Sequence, residues 1–349
     1  MIKKIYILLF LAFSAITAFA GNPDRQGEAG AGHLLMTPWA RTAGLHTLNT
    51  SHISGVEAMR LNPAGVGRIN STQISAGYTS YFSGTDINIS SIGIAQRFGE
   101  NSSFGISLMS VDLGDFIETT ELQPEGTGAT FSPNLFNIGL TYSYVFENKI
   151  SVGATFRGVS EAISDATAFG FAIDAGVQYV TGEEDNFRFG ISLRNIGSRL
   201  TYKGQGLSET LNSPTGAFDD YPLTFFQRAQ SFELPSMLNI GMGYDFYFGD
   251  DVKLTALGNF TANSFSQDQL GAGLEFGFRE LFELRAAYKY EVGSEEEDTA
   301  PIYTGLAGGF SVYLPLSKEK KNNRIRLDYA YRDTKLWDGT HNITLSLDL

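Results

Sequence analysis

The chain has 349 residues, is 42% hydrophobic and 13% aromatic, and carries a formal charge of -13. That apolar and aromatic content excludes a disordered chain, and the acidity, with no compensating basic stripe, argues against a nucleic-acid partner. Cysteine is absent, which excludes disulfides, thiolate metal sites, cysteine nucleophiles and a lipid anchor on an N-terminal cysteine.

At the N-terminus Lys3 and Lys4 precede an apolar run at 5–13, and Ala18-Phe19-Ala20 supplies a small-x-small cleavage site. Residues 1–20 therefore read as a signal peptide, with Gly21 opening the mature chain. No later run of eighteen apolar residues exists, so no transmembrane helix is expected. Residues 21–70 hold no sustained period and read as an irregular or partly helical N-terminal segment, a plug or hatch for the strand-rich remainder of the chain.

From Gln73 onward apolar and polar residues alternate with period two, the pattern of a strand with unlike faces. Between 136 and 146, Phe136, Ile138, Leu140, Tyr142, Tyr144 and Phe146 share one face, against Asn137, Gly139, Thr141 and Ser143. Candidate strands fall near 72–82, 86–98, 102–111, 134–146, 149–160, 168–181, 186–199, 234–248, 251–262, 269–279, 281–291, 303–314, 323–332 and 341–349. Fourteen is an even number, as a single-chain bacterial barrel requires. A phase change near Ser90-Ser91 predicts a bulge.

Two features favour an all-β transmembrane barrel over a soluble sandwich. The polar faces carry Arg157, Asp174, Arg188, Arg194, Asp245, Glu275, Arg285, Lys289, Arg324, Arg326, Asp328 and Arg332; in hydrocarbon a midplane Arg or Lys costs ~2–4 kcal/mol, so these belong in a lumen. Apart from the short first hairpin at 83–85 and the basic turn at 315–322, connections also alternate in length. Short ones at 99–101, 147–148, 181–185, 249–250 and 279–280 read as periplasmic turns, while longer ones at 112–133, 161–167, 200–233, 263–268, 292–302 and 333–340 read as extracellular loops. The barrel should thus span 71–349 in the outer membrane, against lipid and lipopolysaccharide.

Few residues suggest chemistry. Asn62-Pro63-Ala64-Gly65 should form a tight turn that launches the first strand, since Pro63 fixes φ and biases Asn62 away from helix. Phe131, Phe225, Phe226 and Phe232 sit in the two longest loops and are candidates for partner contact. His33, His46, His52 and His341 lack metal-ligand spacing, and no Gly-x-Ser-x-Gly elbow has matching partners, so no metal, cofactor or catalytic site is expected. The acidic run Glu295-Glu296-Glu297-Asp298 suits a solvated loop or a cation bridge to lipopolysaccharide, and Lys318-Glu319-Lys320-Lys321 suits a periplasmic turn.

Between 30 and 66, Gly32-His33-Leu34-Leu35, Ala40-Arg41, Gly44, Ala58 and Asn62-Pro63-Ala64-Gly65 resemble the opening of the PorV/PorQ family, within the FadL-like outer-membrane barrels. The resemblance implies a fourteen-strand barrel of the type IX secretion system of Bacteroidota. It implies as partners the translocon or the sortase, and secreted cargo. The functional expectation is a non-enzymatic adaptor or shuttle using loops 112–133 and 200–233. The alternative is a FadL-like channel for hydrophobic small molecules, with 21–70 as the hatch.

Overall fold

The computed structural model describes residues 21–212, 222–294, 301–316 and 323–349; the N-terminal stretch at 1–20, the acidic run from Glu295 to Asp298 and the basic run from Lys318 to Lys321 lie outside them. Eighteen strands are present among these residues. The first five are β1 (Thr72–Tyr81), β2 (Ile87–Phe98), β3 (Ser102–Asp112) and the two-residue pair β4 (Phe116–Ile117) and β5 (Thr130–Phe131). Next come β6 (Asn134–Phe146), β7 (Ile150–Ile163), β8 (Ala166–Thr181) and β9 (Phe187–Gly197). A loop ribbon comes after them, β10 (Ser208–Asn212) with β11 (Pro222–Phe226). The last seven are β12 (Met237–Phe248), β13 (Val252–Asn263), β14 (Gln269–Phe278), β15 (Phe282–Glu291), β16 (Tyr303–Pro315), β17 (Arg324–Thr334) and β18 (Thr340–Asp348). With β4–β5 and β10–β11 set apart, the other fourteen close an antiparallel barrel in which β1 pairs with β18.

The faces are inverted relative to a water-soluble protein. On β8, Phe169, Phe171, Ile173 and Val177 are exposed, while Ala168, Ala172, Asp174 and Gln178 between them are buried. A strand period of two forces this split, and only an apolar surround makes it favourable on the outside. No helix among the described residues is long and apolar enough to cross a membrane; the strands do the crossing. The turns at 147–148 and 279–280 place Glu147, Asn148, Arg279 and Glu280 at positive φ, near 50°, as tight hairpins with primed twist require.

Several local expectations need correction. No register shift occurs at Ser90-Ser91: β2 pairs in unbroken register with β1 and β3. The phase changes because Ile89 points inward, into an apolar cluster with Met109 and Val111 at the barrel mouth. The 161–167 connection shrinks to Ser164 and Asp165, because β7 and β8 run on past the apolar band. A register shift lies instead between β8 and β9, from Ile173↔Ile196 to Ala175↔Leu193. There Asn195 takes φ 59° and its N–H donates to Asp174 at 2.7 Å.

The N-terminal segment threads the lumen from one mouth to the other. Gly21 N–H donates to Asp268 at 2.6 Å and Gly30 N–H to the Glu233 carbonyl at 3.0 Å, both at the long-loop end. Midway, Ala40 N–H donates to Thr344 Oγ1 at 2.9 Å. At the short-turn end Arg68 donates to Ser151 Oγ and to the Lys149 carbonyl, each at 3.2 Å. Barrels of this kind keep short turns in the periplasm, so Gly21 sits near the cell surface and β1 starts from the periplasmic side. The segment has its own apolar core of Trp39, Ile53, Val56, Met59, Leu61 and Val66.

Candidate functional site

Residues 198–207 and 227–236 fold back over the extracellular mouth. Leu200, Leu234 and Phe232 enter an apolar cluster with Ala31 and Leu34 of the N-terminal segment and Val159, Ala168 and Ala172 of the wall. Leu200 and Phe232 exchange backbone bonds at 3.0 and 2.9 Å, and Thr167 and Lys203 at 2.8 and 2.9 Å. Glu233 receives Arg199 at 2.5 Å and Arg25 at 3.3 Å, and burial is too slight for either pair to add much stability. The anchoring is therefore mainly apolar and backbone-mediated.

From this base the β10–β11 ribbon projects into solvent. Its register sets Glu209 opposite Phe225 and Leu211 opposite Leu223, so Leu211, Leu223 and Phe225 form one apolar row. Phe226 lies on the other face and is 65% exposed. A cleft of about 560 Å³ opens at the ribbon base, lined by Tyr202, Lys203, Leu207, Phe226, Gln227 and Arg228. A second exposed ribbon, β4–β5, stacks Phe116 on Phe131 at 5.7 Å between ring centroids, with Ile117 beside them exposed.

The four loop phenylalanines thus divide. Phe225 and Phe226 are displayed, Phe131 is half-buried in its stack, and Phe232 covers Gly30, where a Cβ would stand 2.1 Å from the ring. No sequence signal separates Phe232 from the rest, because its burial depends on a segment some 200 residues away.

Asn62-Pro63-Ala64-Gly65 lies at the other, periplasmic end, far from these loops. Asn62 caps the 3-10 helix Pro63–Arg68 by accepting from Ala64 N–H at 3.3 Å. Its amide also donates to the Thr50 carbonyl at 2.9 Å and the Val177 carbonyl at 3.2 Å. A Cβ at Gly153 would stand 2.4 Å from the Pro63 carbonyl, and one at Gly176 2.0 Å from Asn62 Oδ1. The motif is pressed directly against bare strand backbone, which only glycine permits.

Between the two ends the interior is polar. Glu57 of the segment accepts from Arg326 at 2.9 Å and Thr42 Oγ1 at 2.8 Å, and Arg326 also reaches Asp328 at 2.8 Å. Glu275 sits between Arg41 at 3.0 Å and Arg285 at 2.6 Å. Arg157 meets Asp174 at 2.6 Å, and Arg60 donates to the carbonyls of His33 and Met36 at 2.6 and 2.7 Å. His33 stands 3.3 Å from Glu161, His52 3.6 Å from Asp245, and His341 2.8 Å from the Tyr329 hydroxyl. His46 is fully buried, and neither of its ring nitrogens has a hydrogen-bond partner among the described residues. Among the described residues no three His, Asp or Glu side chains gather as a metal site would need.

The chain is similar to known proteins at two levels. The family described as "Type IX secretion system membrane protein PorP/SprF" matches residues 57–347. Its name differs from the PorV/PorQ expected from residues 30–66, while the secretion system is the same. No curated protein matches the sequence. Among solved structures, the Pseudomonas putida toluene transporter TodX superposes with TM-score 0.56 at 15% identity, over 88% of this chain and 95% of that one. A Pseudomonas aeruginosa FadL homologue gives TM-score 0.53 at 12% identity, over 90% and 98%. The Ralstonia pickettii toluene transporter TbuX gives 0.51 at 13%, over 89% and 97%. At these identities the likeness is one of fold: a FadL-like outer-membrane barrel.

Proposed function

The chain belongs to the PorP/SprF family of type IX secretion system membrane proteins, and on that premise we propose that it is a non-enzymatic outer-membrane adaptor whose 198–236 loop binds a translocon component or secreted cargo. One observation carries the reading: a ribbon on a buried base holds Leu211, Leu223, Phe225 and Phe226 out to solvent above the membrane. Exposed apolar rows on a fixed scaffold mark contact surfaces, and an isolated two-stranded ribbon gains stability when a partner covers it. Residues 21–70 act as a plug in this reading, with Asn62 to Gly65 fastening the plug to the wall. The shuttle role implied by the PorV/PorQ resemblance is one form of the same adaptor activity.

A hydrocarbon channel is the second reading, favoured by the likeness to barrels titled as toluene transporters. The charged, hydrogen-bonded interior disfavours it, because an apolar solute would have to cross groups that are costly to desolvate.

The test is affinity purification of the tagged barrel from detergent-solubilised membranes, with mass spectrometry of the proteins that stay bound. The wild type should retain a type IX component or secreted protein, and a Phe225→Ser/Phe226→Ser variant should retain at least tenfold less while keeping normal barrel levels. Equal retention by the variant removes the ribbon from the account. Retention of no secretion component, together with lost toluene uptake in a deletion strain, favours the channel.

A further inference from the structure

Three cations from three strands meet in one luminal chamber that, among the described residues, no acid lines. Arg194 of β9, Lys289 of β15 and Arg332 of β17 border a cavity of about 270 Å³ in the extracellular half of the barrel, with His46, Asn239 and Tyr303 beside them. Arg157, Arg285 and Arg326 lower in the barrel each reach a carboxylate within 3 Å. The chamber cations do not. Arg332 is 5% exposed and lies over the Tyr303 ring at 4.7 Å, yet its Nε and Nη2 have no hydrogen-bond partner among the described residues. Among the described residues Arg194 reaches only the Met237 sulfur at 3.3 Å and the Leu34 carbonyl at 3.4 Å, and its Nε is unpartnered. Among the described residues neither arginine nor Lys289 forms an ion pair; Glu291, two residues on from Lys289, accepts from Gln269 at 3.3 Å.

Like charges gathered out of water oppose one another and each loses hydration, so the arrangement is unfavourable unless an anion completes it. Buried His46, with both ring nitrogens unpartnered among the described residues, can offer an N–H to the same ligand. We propose that this chamber is a binding site for a small polar oxyanion of the phosphate or dicarboxylate class. Two planar guanidiniums and one ammonium suit the several oxygens of such a ligand. The volume of about 270 Å³ is ample for such an anion with part of its hydration. The site is independent of what the ribbon binds, so its failure leaves the adaptor reading untouched.

The experiment is isothermal titration of the purified full-length barrel in detergent with inorganic phosphate and, separately, succinate, at ionic strength fixed by sodium chloride. Saturable binding of one or both is expected, and the tighter of the two identifies the ligand class. Lys289→Gln and Arg332→Gln should each weaken it at least tenfold, Lys289→Arg should largely preserve it, and Arg279→Gln on a periplasmic turn should not change it. Gel migration without heating reports that each variant is folded. If the arginine variant does not fold, the lysine pair decides. The proposal is overturned if neither anion binds above the chloride background, if Lys289→Gln binds as wild type does, or if dodecanoate binds there in preference to both.

Discussion

An Asp174→Ala barrel is expected to lose about 3–5 kcal/mol of unfolding free energy, the cost of stranding a buried cation. Arg157 and Asp174 are both fully enclosed, with Nη2 and Oδ2 2.6 Å apart. The other carboxylate oxygen receives Asn195 N–H, where β9 kinks at positive φ. Removing the acid leaves the guanidinium with only the Met59 carbonyl at 3.2 Å and frees the kink as well. Urea titration of the barrel folded into lipid vesicles reads the loss. An Arg157→Met/Asp174→Leu double variant should recover most of it, since replacing a whole buried pair with apolar side chains is often neutral. A loss below about 1 kcal/mol in the single variant, within the range of an ordinary exposed pair, would show that the lumen is wetter than its geometry implies.

The second large effect is expected on the outer face. Leu140 stands at the middle of β6 and is 50% exposed, between Ile138 and Tyr142, which are also exposed. Leu140→Arg should destabilise the barrel by about 2–4 kcal/mol in the same titration, the midplane cost of an arginine facing hydrocarbon. Leu122→Arg, in the extracellular loop where the leucine is 94% exposed, should change stability by less than about 0.5 kcal/mol. Equal, small effects at both positions would place β6 in water.

The strands are legible in the sequence because alternation survives inversion: the period of two is the same whether apolar residues face a core or lipid. The departures from pattern are also physical. Ile89 breaks the outward-apolar rule since the lumen is itself apolar at the mouth, where Met109 and Val111 await it. The 161–167 stretch looks like a loop because β7 and β8 leave the apolar band there and continue through Ser160, Glu161 and Thr167. Charges can be assigned inward from pattern alone, but not paired, since Arg326 finds Glu57 across 269 positions. For the same reason nothing in the sequence distinguishes the unpaired Arg332 from the paired Arg285. Asn62 and Pro63 carry a family resemblance yet serve to seat the segment on Gly153 and Gly176; they report the fold more than the partner.

The cysteine-free chain allows a direct measurement of the inverted barrel. Single cysteines placed in turn at Asn137, Ile138, Gly139, Leu140, Thr141 and Tyr142 can be labelled with a fluorophore and exposed to brominated lipid. Quenching should alternate, strong at 138, 140 and 142 and weak at 137, 139 and 141. Uniform quenching along β6, or quenching strongest at the polar positions, would contradict a barrel whose greasy side chains meet the bilayer.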